Sequence, residues 1–174
     1  MLTFFTSIKM SFRKDFNAFV GSRTGILKGV KIQHGKIITK STQNISMLKK
    51  DHEITSMSWG DPEENEILLG LANQTVKIYD TELQAFTRSI DSKCGEGPIV
   101  GVLRYNKSLL TAVASGEIKL WTGQDSDTLN TGEALERIRQ NPYNRDIIAS
   151  GGKSNDLKLW NIGANNQNVF KAKN

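Results

Sequence analysis

Short runs of alternating apolar and polar residues recur along the chain. In Thr75-Val76-Lys77-Ile78-Tyr79-Asp80, Val76 and Ile78 stand against Lys77, a period of two that predicts a strand. Before it, Glu66-Ile67-Leu68-Leu69-Gly70-Leu71-Ala72 is a nearly unbroken apolar run with small residues, and the intervening Asn73-Gln74 reads as a hairpin turn. The same shape returns as Leu109–Ala114, Ser115-Gly116, Glu117–Thr122, and again as Asp146–Gly152, Lys153-Ser154-Asn155, Asp156–Asn161. The closing aromatics Tyr79, Trp121 and Trp160 lie 42 and 39 residues apart. A less regular copy, Ala18–Val30, comes first; its Lys28 aligns with Lys77, Lys119 and Lys158.

Further strands flank these hairpins. Ile54–Trp59, Ile99–Leu103 and Ala134–Ile138 precede them, and Lys36–Thr39, Ala85–Ile90 and Asn168–Lys171 follow. Ala134–Gln140 can be written as a helical turn, but the repeat register favours a strand. Four strands per period of roughly 40–45 residues is the pattern of a propeller blade. The expected fold is all-β: about four blades of a β-propeller, the first irregular, in units of about 16–50, 51–92, 97–131 and 133–174. Residues 1–15 are expected to form a disordered extension, with Met10 as an alternative start. Alternation places Lys28, Lys77, Lys119 and Lys158 outward, with Ile78, Leu120 and Leu159 inside. The turns Arg23-Thr24, Asn73-Gln74, Ser115-Gly116 and Lys153-Ser154-Asn155 are expected on one face. The connections Lys49–Glu53, Lys93–Pro98 and Thr131–Glu133 are expected on the opposite one.

Composition narrows the chemistry. The 174 residues carry 37% hydrophobic and 24% charged residues, a balance that suits a folded domain. No apolar run reaches the roughly 18–20 residues of a membrane span, and the start is too short and polar for a secretory leader. The matches to the N-glycosylation pattern at Asn44, Asn73 and Asn106 are therefore read as incidental. One cysteine, Cys94, excludes an internal disulfide. With two histidines, His34 and His52, no histidine-based metal site is expected. The net charge of +5 is unevenly spread: residues 1–50 hold ten Lys/Arg and one acid, Asp15. Such asymmetry suggests nucleic acid or an acidic partner.

Each candidate for chemistry has a plainer reading beside it. Gly152-Lys153-Ser154 resembles the end of a P-loop, but Ile147 stands where that motif needs a glycine, and the context is a hairpin rather than strand-to-helix. Gly151-Gly152 is read instead as hairpin glycine using positive φ. Cys94 has no base beside it in sequence and is read as a bystander thiol. His52, Trp59, Tyr79, Trp121 and Trp160 are candidate blade-bracing residues. Arg23, Lys31, Lys36, Lys40 and Lys153 form the candidate surface for partners or RNA. No aromatic platform is interleaved with these cations, so RNA would be held by its backbone without sequence readout. No acid/base pair, metal cluster or nucleophile constellation points to an enzyme, and no cofactor is expected.

The repeats resemble WD repeats. Unit two is most similar, with His52, Ile54–Trp59, a proline turn, Leu69–Ala72 and Asn73–Asp80 in order. The terminal Trp-Asp pair is altered to Tyr79-Asp80, Trp121-Thr122 and Trp160-Asn161, and the turn aspartate is Asn73. The polar network of a regular blade is thus incomplete, and more apolar packing is expected. Two strings, Val20–Val30 with its Thr24-Gly25-Ile26-Leu27-Lys28-Gly29, and Ala149–Asn161 followed by Val169–Asn174, are similar to the N-terminal portion of the WD repeat-containing protein 74 family. The similarity in order and spacing runs over about residues 16–174.

That resemblance implies a seven-bladed, non-catalytic propeller of the nucleus and nucleolus, acting in assembly of the large (60S) ribosomal subunit and in pre-rRNA processing. It implies pre-ribosomal proteins and ribosomal RNA as neighbours, and an AAA-type ATPase that releases the protein, in part through a basic tail beyond these residues. The alternative is a WD-repeat adaptor in an unrelated cytoplasmic or nuclear complex. On this reading the chain is an N-terminal fragment or truncated gene product, an open arc with an unpaired blade face. It is then expected to be marginally soluble or self-associating; a monomeric, cooperatively unfolding preparation in analytical ultracentrifugation would contradict this.

Overall fold

A computed structural model describes residues 3–4, 15–42, 49–122, 125–154, 156–164 and 166–172. The Asn44 pattern and Met10 lie outside them. The described residues form sixteen strands in four antiparallel sheets, each built from four strands consecutive in the chain. Blade 1 contains β1 (Thr3–Phe4), β2 (Ala18–Gly21), β3 (Leu27–Gln33) and β4 (Lys36–Ser41). Blade 2 contains β5 (Ile54–Trp59), β6 (Glu66–Leu71), β7 (Thr75–Asp80) and β8 (Ala85–Asp91). Blade 3 contains β9 (Ile99–Tyr105), β10 (Ser108–Val113), β11 (Glu117–Thr122) and β12 (Asp125–Asn130). Blade 4 contains β13 (Leu135–Gln140), β14 (Ile147–Gly152), β15 (Leu157–Asn161) and β16 (Gln167–Ala172). The first strands β5, β9 and β13 are neighbours, so they form the inner edge of the arc.

Two strands are additions to the sequence reading. Within the segment expected to be an extension, Thr3 and Phe4 pair with Gly21 and Val20 and give blade 1 its first strand. In blade 3, β12 has the sequence Asp-Ser-Asp-Thr-Leu-Asn, poor in strand formers. It pairs with β11 at six consecutive positions, Glu117↔Asn130 to Thr122↔Asp125. Here the ladder overrides local propensity. Residues 135–140 are a strand, as the repeat register indicated.

The core consists of three apolar clusters, one at each junction between blades. Phe19 and Leu27 of blade 1 meet Ile54, Met57, Ile67, Leu69, Leu71 and Tyr79 of blade 2. Leu68, Val76 and Ile78 of blade 2 meet Ile99, Val102, Leu109 and Val113 of blade 3. Leu110, Ala112 and Ile118 of blade 3 meet Leu135, Ile138, Ile148 and Trp160 of blade 4. Neighbouring residues of β6 thus serve opposite junctions, with Ile67 and Leu69 on one side and Leu68 on the other. A strand covered on both faces needs apolar residues on both, which explains the unbroken run Ile67-Leu68-Leu69. The outer strands β4 and β16 are exposed along most of their length.

Blades also approach closely at small residues. A Cβ on Gly70 would lie 2.5 Å from Cγ2 of Ile99, and one on Gly101 would strike Ile138. By register, Leu27, Val76, Ile118 and Leu157 hold one position, facing the following blade. The first three are 0%, 0% and 2% exposed, whereas Leu157 is 47% exposed, because no described residue packs on that face of blade 4. Gly70 and Gly151 are likewise equivalent, but a Cβ on Gly151 would meet only the Asp156 carbonyl, at 3.9 Å. Gly70→Ala is therefore expected to lower stability by about 1–3 kcal/mol through overpacking, and Gly151→Ala to leave it unchanged or slightly raised. Urea denaturation of both variants checks the pair; equal effects would contradict the junction geometry.

Candidate interaction surfaces

The lysine position repeated in every blade is not a row of solvated residues. Lys77 places its ammonium 5.7 Å from the Phe86 ring centroid, and Lys119 lies 4.1 Å from that of Trp121. Lys158 is only 12% exposed; its Nζ lies 2.8 Å from Glu133, itself 10% exposed, and donates to the Thr131 carbonyl at 2.8 Å. Lys28 alone of the four is exposed. The expected outward placement fails because the second and third strands of a blade have neighbours on both faces, so alternation there separates two junctions rather than core from water. Ile78 is fully buried, while Leu120 and Leu159 are half-buried.

The bracing candidates divide by chemistry. In blade 4 the Trp160 indole N–H donates to Ser150 Oγ at 2.9 Å, and in blade 3 Trp121 donates to Thr111 Oγ1 at 3.0 Å. Leu69 and Tyr79 occupy these places in blade 2, where the Tyr79 ring packs against Phe19 and Phe86 at 5.8 and 5.2 Å. Burial raises the Tyr79 phenol's pKa, with Asp80 adding to it. Trp59 makes an edge contact with Phe19 at 6.2 Å. His52 acts locally, its Nδ1 accepting the Lys49 N–H at 3.3 Å at a short 3-10 turn, Lys50–His52. Cys94 Sγ lies 3.9 Å from Thr111 Oγ1, on the acceptor used by Trp121. Burial pushes its thiol pKa up, only partly offset by Thr111 and Lys119, the direction opposite to that of an activated thiolate.

The hairpin turns and the blade connections lie on the same face, contrary to the expectation from sequence. Ser115 and Glu96 are joined through Ser115 N–H to Glu96 carbonyl and Glu96 N–H to Ser115 Oγ, at 3.1 and 2.7 Å. Ser154 Oγ contacts Glu133, and a Cβ on Gly25 would strike the His52 carbonyl. The reason is parity: between the turn after the second strand and the connection after the fourth, an antiparallel chain reverses twice and returns to its starting face. Gly151 and Gly152 also differ from expectation, since neither has positive φ. Both belong to β14, and Gly152 is needed because a Cβ would collide with the Ala134 backbone.

Gln74 is the polar residue that sequence reading passed over. It is 8% exposed in the turn between β6 and β7, with φ of 62°. Its Nε2 donates to the Gly95 and Gly97 carbonyls at 2.8 and 2.9 Å, and its Oε1 accepts the Cys94 N–H at 3.1 Å. One amide thus clamps the connection from blade 2 to blade 3 and lines a cleft of about 660 Å³ with Glu53, Lys93 and Glu96. A glutamine in a turn carries no sequence signal for this role. The opposite face has its own ties. Arg104 binds Glu66 through Nε and Nη2 at 3.0–3.3 Å, and Tyr105 donates to Asp146 at 2.7 Å. That bond to Asp146 is the main cause of the Tyr105 phenol's raised pKa.

The five cations of the candidate surface do not form one patch. Arg23 lies on the turn face and is paired with Glu53 at 3.1 Å. Lys153 is exposed on the same face of blade 4. Lys31, Lys36 and Lys40 belong to β3 and β4, where the pairs Gly29↔Lys40, Lys31↔Ile38 and Gln33↔Lys36 put all three on one side of the hairpin. Among the described residues no three His, Cys, Asp or Glu side chains are grouped to hold a metal ion, and no helix is long and apolar enough to cross a membrane.

Gln74→Asn keeps a residue tolerated in the left-handed region but is too short to span the clamp. It is expected to cost about 1–3 kcal/mol through the unsatisfied carbonyls and amide. Unchanged urea denaturation would show the clamp to be energetically idle.

No family model matches the chain. Among curated proteins it is similar to WD repeat-containing protein 74 of Homo sapiens, 33% identical over 168 residues, and to those of Bos taurus and Mus musculus, 34% and 32% identical over 167 residues. Each match covers 91% of this chain and 42% of the relative, so the chain spans about two-fifths of the length of these proteins. Four four-stranded antiparallel blades, the Trp-to-Ser/Thr bonds of blades 3 and 4, and 33% identity over 91% of its length together make the chain a member of the WD repeat-containing protein 74 family.

Proposed function

We propose that this WD-repeat scaffold acts in nucleolar assembly of the large (60S) ribosomal subunit and in the accompanying pre-rRNA processing. The observation that carries the proposal is the 32–34% identity to WD repeat-containing protein 74 over 91% of the chain, together with the role the family resemblance implies. Its partners on this reading are pre-ribosomal proteins and the backbone of ribosomal RNA, and an AAA-type ATPase releases it. Neither catalysis nor a cofactor enters the proposal.

The mechanism is recognition by shape. Turns and connections of successive blades share one face and are bonded to each other at Gln74–Gly95, Ser115–Glu96 and Arg23–Glu53. Loops held this way by a rigid sheet scaffold form a composite surface that needs little ordering when a partner docks. Gradient sedimentation of the tagged full-length protein from nuclear extract is expected to place it with precursors of the large subunit. Its absence from those fractions, or its recovery in an unrelated complex, would overturn the proposal.

A further inference from the structure

The geometry points to one face of the β3–β4 hairpin, carrying Lys31, Lys36 and Lys40, as a binding ribbon for the phosphate backbone of single-stranded RNA. It deepens the proposed function and rests on that reading for which RNA the chain would meet.

The arrangement is regular. Lys40 stands opposite Gly29 and Lys36 opposite Gln33, with Lys31 midway between those levels, so cations recur every two residues along the hairpin. At the rise of a strand that is a step of roughly 7 Å, a spacing suited to successive phosphates of an extended chain. Residues 16–50 contain no Asp or Glu, so the one carboxylate that blade 1 itself supplies near them is Asp15, which among the described contacts is bonded to Gln84. Lys36 and Lys40 are exposed and Lys31 is half-buried. The described contacts across the seam to blade 2 are mild: Lys40 Nζ lies 3.5 Å from Gln84 Oε1, and the Asp15 carboxylate is bonded to Gln84 Nε2. Lys77 faces the same seam, on the side of its sheet that carries Leu69 and Tyr79. Asp91, opposite Thr75 on that sheet, lies 3.9 Å from Lys93.

The residue types favour nucleic acid over an acidic protein. The ribbon is made of lysines, which are point charges suited to phosphate, with none of the forked arginines that bind carboxylates bidentately. Lysine is also depleted in protein–protein interfaces. β3 and β4 carry no aromatic side chain, and the Phe16 ring that lies over Gly29 on this face is packed edge-on against Phe19, so affinity comes from counterion release and carries no sequence readout. Lys28 and Lys153 are outside the ribbon. Lys28 is on the other side of the same hairpin and Lys153 is three blades away.

The test is fluorescence anisotropy of the chain with a labelled twelve-nucleotide oligouridine between 50 and 200 mM salt. Two double variants with equal charge change are compared, Lys31→Gln/Lys40→Gln and Lys28→Gln/Lys153→Gln, each checked for an unchanged thermal unfolding curve. The ribbon variant is expected to lose about tenfold or more in affinity at 50 mM salt and to flatten the log–log salt slope by about 1.4, some 0.7 per lysine. The off-ribbon variant is expected to keep the original slope. Equal losses in both variants would overturn the ribbon in favour of diffuse charge. Failure of the oligomer to bind, or its displacement by poly-glutamate at equal charge concentration, would overturn the RNA assignment. If binding fails while the full-length protein still sediments with large-subunit precursors, the ribbon falls and the proposed function stands.

Discussion

Everything in this arc depends on blades burying their second and third strands against one another. A single four-stranded sheet of this size has two faces and cannot shield either by itself. Stacking gives each interior blade two covered faces, and the three apolar clusters are the three resulting junctions. Fully buried side chains such as Leu68, Ile78, Ile99, Leu110 and Ile148 all stand at these junctions. Burial of this kind stabilises by about 1.5–3 kcal/mol for each large aliphatic side chain, and it is non-directional, which lets blades with different polar chemistry share one architecture.

Polar contacts then fix how the blades sit. Gly70 and Gly101 let the next blade's inner strand approach closely at the two later junctions, and Ser58 Oγ donates to the Val102 carbonyl at 2.5 Å between blades 2 and 3. Arg104–Glu66 and Tyr105–Asp146 tie one rim, and Gln74 with Ser115 ties the other. The indole-to-hydroxyl bond is kept in blades 3 and 4 and replaced by aromatic packing around Tyr79 in blade 2. A junction can therefore lose its internal polar brace while its apolar cluster persists.

The rims also decide what the surface offers a partner. Cations that look alike in the sequence end in different physical states: Arg23 is paired with Glu53, Lys158 is held by Glu133, Lys119 lies over an indole, and Lys40 reaches the Gln84 amide. A net charge of +5 says little by itself, because it does not tell which cations lie beside acids and which do not.

The sequence alone determined the all-β class, the repeat length, the hairpins and most of the strands, since each follows from local alternation and turn residues that need no distant contact. It also carried the family, in the string Val20–Val30 and the run Ala149–Asn161. Tertiary structure decided the rest. Polar β12 became a strand because β11 offered a ladder, and Thr3–Phe4 joined blade 1 because β2 had a free edge. Lys77, Lys119 and Lys158 turned toward a neighbouring blade because both faces of the middle strands are covered there, a fact invisible to a period-two pattern. The shared face of turns and connections followed from counting chain reversals. Gln74, an ordinary turn residue by sequence, became a buried clamp only when blade 3 brought two glycine carbonyls within reach of its amide.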